Sequence, residues 1–234
     1  MEIQVARFRE ALALLKPVVL RKSSIDSLTS ILLKDGQVLA TDLETFVMVP
    51  MPEVDGTYLL PYSDVSNILQ FTMGGELLTI TGDEGKATLS WSGGKYTLPT
   101  KDPESFPSVP PFVPVAEAEL DIDILIPAMT SVLPYAATDQ TRPVLAGVTL
   151  VFGNPMEVAA GDGFRMGHKA LPLSFPENRV VIVPSSSVRA LDFLWRKTPR
   201  TPPDSDSHSP ALAEMVAVPS LTTMRTSPLP SLAT

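Results

Sequence analysis

An internal repeat limits the possible folds of this 234-residue chain more than any other feature of its sequence. Each half has an apolar run, a small residue with an aspartate (Asp42 or Asp162), and a second apolar run. The two aspartates lie 120 positions apart, and two further pairs of landmarks lie 123 and 117 positions apart: Pro61 with Pro184, and Leu28 with Leu145. Self-similarity at a long, nearly constant spacing is typical of a duplicated structural module. The sequence therefore predicts one αβ module that occurs twice.

Hydrophobic periodicity predicts two helices and four or more strands in each half. The predicted helices are residues 6–20, 63–73, 124–138 and 185–197, with serine N-caps at Ser63 and at the start of the fourth helix. Three alternating strands within 76–100 follow the second helix. No counterpart of these three strands follows the fourth helix, so we expect the second unit to be incomplete. The predicted fold class is α+β with antiparallel sheets.

Proline-rich segments divide the chain. "PSVPPFVPVAEAE" (107–119) is typical of a linker. Residues 198–234 are dominated by Pro, Ser and Thr and show no sustained period, which predicts a mostly disordered tail. The predicted domains are 1–112, 113–197 and the tail at 198–234.

Composition excludes several classes of protein. Hydrophobic residues make up 44% of the chain, so a core can form, and the absence of cysteine excludes disulfides and thiolate metal sites. No apolar segment approaches membrane-spanning length. We expect a cytoplasmic protein. Its net charge of -8 argues against a uniformly basic surface for nucleic acid, but not against a local basic strip.

The sequence carries no recognisable catalytic constellation. Phosphate-loop, dinucleotide and zinc-helix motifs are absent, and neither His168 nor His208 has a second ligand at metal spacing. No cofactor, no metal and no enzymatic activity are predicted. Asp42 and Asp162 could be carboxylates of an active site or the corners of a repeated hairpin, where aspartate bonds its own backbone. The repeat favours the hairpin corner.

Basic residues concentrate on two of the predicted helices, although the chain as a whole is acidic. The first helix and its exit contain Arg7, Arg9, Lys16, Arg21 and Lys22, and the fourth helix contains Arg189, Arg196 and Lys197. These side chains could form a phosphate-facing surface or could simply be the solvated faces of helices.

Five collinear segments resemble the bacterial sliding clamp, the β subunit of the replicative DNA polymerase. They are "VVLRKSSIDSLTSILL…VLATDLE" (18–44), "YTLPTKDPESFP" (96–107), "YAATDQTRPVLAGVTL" (135–150), "AAGDGFRMGHKAL" (159–171) and "VIVPSSSVRALDFL" (181–194). The resemblance implies a DNA clamp fold of repeated domains in a ring, with sheets outside and two helices per domain lining the hole. It also implies a non-catalytic processivity factor that encircles duplex DNA and binds the polymerase and the clamp loader.

The resemblance also assigns residues. Together with the helix charges it implies DNA contacts at Arg21, Lys22, Gln140, Arg189, Arg196 and Lys197. It implies half of a partner-peptide pocket at Leu145, Gly161, Gly163, Phe164, Arg165 and Met166, the other half belonging to a third domain. Where the family has basic residues at the starts of the second helices, this chain has Ser63, Asp64, Ser185 and Ser186. We therefore expect a weaker basic lining.

Two functions remain open. The first is a sliding-clamp processivity factor, here in a truncated form with two domains. The alternative is an interaction protein that keeps the clamp fold without being loaded on DNA. Because the second unit lacks its last strands in the sequence pattern, we expect a monomer or weak dimer and only weak binding of partner peptides.

Overall fold

The computed structural model describes residues 1–83, 85–109, 120–139, 141–176 and 178–197, together with the backbone of 214–217 and 222–225. The chain divides into two compact units. Unit 1 comprises Met1–Pro110 with Ala211–Met215, and unit 2 comprises Pro111–Pro210 with Val216–Thr234. The helices are α1 (Val5–Leu15), α2 (Tyr62–Leu69), α3 (Ile122–Val132) and α4 (Ser185–Lys197).

The strands of unit 1 form two antiparallel sheets. They are β1 (Glu2–Gln4), β2 (Ser30–Lys34), β3 (Gln37–Thr41), β4 (Thr45–Pro50), β5 (Tyr58–Pro61), β6 (Leu77–Asp83), β7 (Lys86–Trp91) and β8 (Gly94–Pro99). One sheet contains the order β4-β3-β2-β5, and the other has the order β1-β6-β7-β8. Helix α1 packs on β3 and β4, and α2 packs on β2 and β5, so both helices cover the same sheet.

Unit 2 repeats the first of these sheets. Its strands are β9 (Gly147–Phe152), β10 (Met156–Gly161), β11 (Met166–Leu171) and β12 (Arg179–Pro184), in the order β11-β10-β9-β12. Helix α3 packs on β10 and β11, and α4 packs on β9 and β12. Strand order and helix placement match unit 1 element for element. The predicted α+β fold and the duplication are therefore confirmed.

Local sequence explains where the helices begin and end. Helix α1 ends at Leu15, five residues earlier than predicted, because Pro17 cannot continue it. The prediction of Ser63 as an N-cap is wrong, since α2 begins at Tyr62 directly after β5. Helix α3 begins at Ile122, two residues before its predicted start, and there the Asp121 carboxylate accepts a hydrogen bond from the Asp123 backbone N–H.

The predicted disordered tail contains two short strands. β13 (Glu214–Ala217) and β14 (Thr222–Arg225) extend the first sheet beyond β4, giving the order β14-β13-β4-β3-β2-β5. These two strands depart from the expectation of a mostly disordered tail. They form because the outer edge of β4 offers unpaired backbone groups to another strand. The rest of 198–234 lies outside the described residues, and the predicted domain boundaries remain predictions.

The cores are aliphatic, as the low aromatic content of 6% requires. Fully buried side chains of unit 1 include Ile3, Phe8, Leu15, Ile31, Leu33, Leu59, Leu78, Ile80 and Leu89, and those of unit 2 include Leu125, Ile126, Met129, Leu150, Val158, Val183, Leu191 and Leu194. None of the helices within the described residues has the length and hydropathy needed to span a membrane.

Candidate nucleic-acid interface

The repeated aspartates occupy the same hairpin corner in both units. The Asp42 carboxylate accepts hydrogen bonds from the backbone N–H groups of Glu44 and Thr45 at 3.0 and 2.7 Å. The Asp162 carboxylate accepts from Phe164 and Arg165 at 2.9 and 3.0 Å. Each carboxylate therefore holds its own turn closed. The corner interpretation is confirmed.

The two corners differ in the pKa of their carboxyl groups. Burial raises the pKa of Asp42 above its ordinary value, against the opposing effect of the backbone hydrogen bonds from Thr45 and Glu44. At Asp162 the backbone hydrogen bonds from Phe164 and Arg165, with the Arg165 side chain, outweigh burial and lower its pKa to about 2. The same hydrogen-bonding geometry thus gives opposite shifts because burial is the larger effect only at Asp42.

The residue after each aspartate has a left-handed backbone conformation. Gly163 has φ of +94°, which glycine adopts without strain. Its counterpart Leu43 has φ of +77°, a conformation that is uncommon for a side chain with a Cβ atom. The corner in unit 1 is therefore more strained than that in unit 2.

Two of the basic residues on α1 are engaged inside unit 1. The Arg9 guanidinium donates to the carbonyl oxygens of Leu69 and Thr72 and to the Thr72 hydroxyl, the last at 3.2 Å. Arg7 forms an ion pair with Glu53. Arg9 thus satisfies carbonyls at the end of α2, which lack partners within the helix. Of the two interpretations of the helix charges, these contacts favour a role for Arg7 and Arg9 within unit 1 over one in a phosphate-facing surface.

The remaining basic residues of this region lie at the exit of α1. Lys16, Arg21 and Lys22 are exposed, and none of their side chains forms a hydrogen bond or ion pair with any residue that the structure describes. Residues 16–25 contain these three cations and no acidic side chain. The segment is therefore an uncompensated basic surface on unit 1.

Helix α4 supplies the basic surface of unit 2. Arg189, Phe193 and Arg196 recur at intervals of four and three residues and lie on one face, opposite the buried Leu191 and Leu194. Lys197 lies 5.9 Å from the centroid of the Phe193 ring, and Arg196 pairs with Asp192 at 2.9 Å. The fourth predicted DNA residue of unit 2, Gln140, lies outside the described residues.

Helix α2 is the counterpart of α4 and presents a neutral face. Its exposed side chains are Ser63, Asn67 and, just beyond its end, Gln70. Ser185 begins α4 and donates its hydroxyl to the Ala146 carbonyl at 2.7 Å, which joins the helix to the segment before β9. The starts of α2 and α4 therefore carry no basic side chain, and the weaker basic lining stays a prediction.

The predicted half pocket gathers three segments of unit 2. The Tyr135 ring lies on Gly167, where an added Cβ would be 2.4 Å from the ring, and the Arg165 guanidinium lies 5.8 Å from the centroid of that ring. The Leu145 backbone bonds to Ala137 and Arg142. Of the predicted pocket residues, Arg165 thus lies beside Tyr135, and its guanidinium also donates to the Pro134 carbonyl at 3.3 Å. The pocket itself remains a prediction.

Comparison with known proteins agrees with this geometry. No family model matches the chain. The β sliding clamp of Staphylococcus epidermidis is 24% identical over 176 residues, which make up 69% of this chain and 47% of the relative. The DNA polymerase III β chain of Streptococcus pneumoniae has a TM-score of 0.77 at 19% identity, covering 97% of this chain and 61% of that chain. This chain has the sliding-clamp fold.

A second solved structure gives the same result. The DNA polymerase III β subunit of Pseudomonas aeruginosa has a TM-score of 0.76 at 19% identity, covering 93% of this chain and 59% of that chain. The resemblance to the β sliding clamp found in the sequence is therefore confirmed. The chain spans about half the length of the curated relatives that it matches.

The sliding-clamp fold of this chain carries exposed apolar side chains that the sequence did not single out. Val144 in unit 2 is 65% exposed and stands beside the half pocket, next to Leu145. Phe164, which we did predict as a pocket residue, is fully exposed, and Met166 is 69% exposed. In unit 1, Phe71 is 80% exposed. In the sequence, Val144 could have been identified as a bulky apolar residue next to proline and arginine in a loop.

The described parts of the two units contain no candidate metal-binding cluster. No group of three or more His, Cys, Asp or Glu side chains there could hold a metal ion. His168 instead contacts Glu157 on the neighbouring strand at 3.1 Å.

Proposed function

We propose that this chain acts in DNA replication as part of a sliding clamp, a non-catalytic processivity factor that surrounds duplex DNA and tethers the polymerase. The observation that carries the proposal is the duplicated clamp unit with uncompensated cations on its helix side. In unit 1 these cations lie at the exit of α1, and in unit 2 they lie on α4. Each unit thus offers phosphates a surface with no groups shaped to read bases.

The charges fit loose, sequence-independent contact with DNA. Arg21, Lys22 and Arg189 are exposed and make no ion pair with the described residues, so they can neutralise phosphates without first breaking a bond. Helix α2 contains Asp64 and no basic side chain, which limits the number of such contacts. A small number of phosphate contacts gives weak binding that salt easily reverses, which suits a protein that must slide.

The test is duplex binding as a function of salt. The double variant Arg21→Ala/Lys22→Ala should reduce the log–log salt slope by about 1.8, since each lost phosphate contact lowers it by about 0.9. The matched control is Lys34→Ala/Lys86→Ala, which removes two exposed cations from strands β2 and β7. Fluorescence anisotropy on labelled duplexes of unrelated sequence measures both. An equal reduction in the two variants would contradict the assignment of the helix side to DNA.

The alternative is an interaction protein with the clamp fold and no place on DNA. It predicts that the wild-type chain shows no duplex binding even at low salt, and that neither double variant differs from it. The exposed Phe164, Met166 and Val144 are compatible with both functions, because each needs a surface for partners.

We also propose that the half pocket of unit 2 contributes to partner binding by the polymerase or the clamp loader. Three ordered segments hold Phe164 and Met166 in the open, and large exposed apolar side chains on fixed backbone are typical of interface anchors. Phe164→Ser should weaken retention of a purified bacterial replicative polymerase on the immobilised chain. Phe71→Ser, which removes an equally large exposed ring from unit 1, should not.

A further inference from the structure

The outer face of α4 combines cations with an aromatic ring. Arg189, Phe193 and Arg196 span seven residues, which corresponds to about 10 Å along a helix. The ring lies between the two guanidinium groups along this face. This pattern differs from an ordinary solvated helix face, which has no reason to place phenylalanine between arginines.

The Phe193 side chain is half-buried, so part of it remains accessible to solvent. The buried residues of α4 include Val188 and Leu191, which lie across the helix from Phe193. The Phe193 ring is instead approached by the Lys197 ammonium at 5.9 Å, a cation–π contact. A flexible lysine side chain is the kind of cover that another planar group can displace.

The charge on this face is net positive. Asp192 is the acidic residue of α4, and it pairs with Arg196 at 2.9 Å. Arg189 has no hydrogen bond or ion pair with any described residue, and Lys197 is engaged only with the ring. Two cationic groups therefore remain for phosphates on either side of the aromatic ring.

We propose that this face of α4 binds single-stranded nucleic acid, with one base stacked on Phe193 and the flanking phosphates on Arg189 and Lys197. Duplex DNA presents phosphates but keeps its bases stacked on one another, so it cannot use the ring. Base stacking on an aromatic side chain combined with a basic surface is the usual way in which proteins hold single strands without reading sequence. The proposal goes beyond the duplex contact and shares its cations.

The test compares single-stranded and duplex oligonucleotides with the full chain and three variants. Phe193→Leu should weaken binding of a labelled oligothymidylate by between about fivefold and 150-fold, the range that one lost stacking contact gives. Phe193→Trp, which keeps a stacking surface, should restore binding. Duplex affinity should be unchanged in both variants.

Phe71→Leu is the matched control, because Phe71 is 80% exposed in unit 1 but lies in a segment, 65–75, that contains no charged residue. It should leave oligothymidylate binding unchanged. Equal affinity of wild type and Phe193→Leu for the single strand, or equal loss in Phe193→Leu and Phe71→Leu, would overturn the proposal. A chain that binds oligothymidylate through Phe193 but no duplex would refute the proposed clamp function alone.

Discussion

Replacing Arg9 by methionine should destabilise unit 1 by about 2 kcal/mol, although the lost charge lies on a helix whose cations were expected to face phosphates. Arg9 donates to the carbonyls of Leu69 and Thr72. The Leu69 carbonyl keeps the Thr72 hydroxyl as a donor at 2.8 Å, so it remains satisfied. The Thr72 carbonyl loses Arg9, and Thr72 is only 7% exposed. An unpaired buried acceptor costs about 1–3 kcal/mol, which sets the expected value.

Urea unfolding measures this effect if the fluorescence signal comes from unit 1 alone. The two tryptophans are Trp91 in unit 1 and Trp195 in unit 2, so a Trp195→Phe background isolates the first. Lys16→Met is the matched control, because the Lys16 side chain is exposed and has no hydrogen bond or ion pair with the described residues, and it should change stability by less than about 0.5 kcal/mol. The reasoning fails if the two variants are equally stable, or if Arg9→Met weakens duplex binding as much as Arg21→Ala/Lys22→Ala does.

Two further outcomes concern the repeated corner and the sheet of unit 2. On acidification, Asp42 should protonate before Asp162 in an NMR titration. The stability contributed by Asp162 is complete above its ordinary pKa of 3.8 and is lost as the pH falls towards 2. The raised pKa of Asp42 gives a contribution to stability of opposite sign. Asp42→Asn should keep duplex binding and change stability by about 1 kcal/mol or less in urea unfolding, because the amide oxygen still accepts both backbone bonds. Gly147→Ala should destabilise unit 2 by about 1–3 kcal/mol in the same assay, since its Cβ would lie 2.6 Å from the Val183 carbonyl oxygen, while Gly75→Ala, with open space around it, should have little effect.

Local sequence was sufficient to predict both ends of one helix. Helix α4 begins at Ser185 and ends at Lys197 as predicted, because Pro184 closes the preceding strand. The end of α1 was predicted too late because apolar residues at helical spacing continue to Val19. Val19 is only half-buried, whereas Val18 is buried and reaches the core from a turn after the helix. Periodicity therefore identified the helix but not its end.

The remaining errors of the sequence-based prediction come from contacts between residues that are far apart in the sequence. Arg9 donates hydrogen bonds to carbonyls 60 and 63 positions away, so its neighbours in the sequence give no sign of these contacts. Strand β13 pairs at the edge of β4, far earlier in the chain, and its own composition predicts no partner. The residues of the half pocket were assigned by resemblance alone and stay a prediction, although the corner at Asp162 fixes the backbone of Phe164 and Arg165.

Amide hydrogen exchange with and without duplex DNA tests the central claim most directly. The account places DNA on the helix side of each unit. It predicts added protection in residues 16–25 and in α4, and none in the hairpins β3–β4 and β10–β11 on the sheets. Protection confined to those hairpins, or its absence from both helix-side segments under conditions where DNA is bound, would contradict the account.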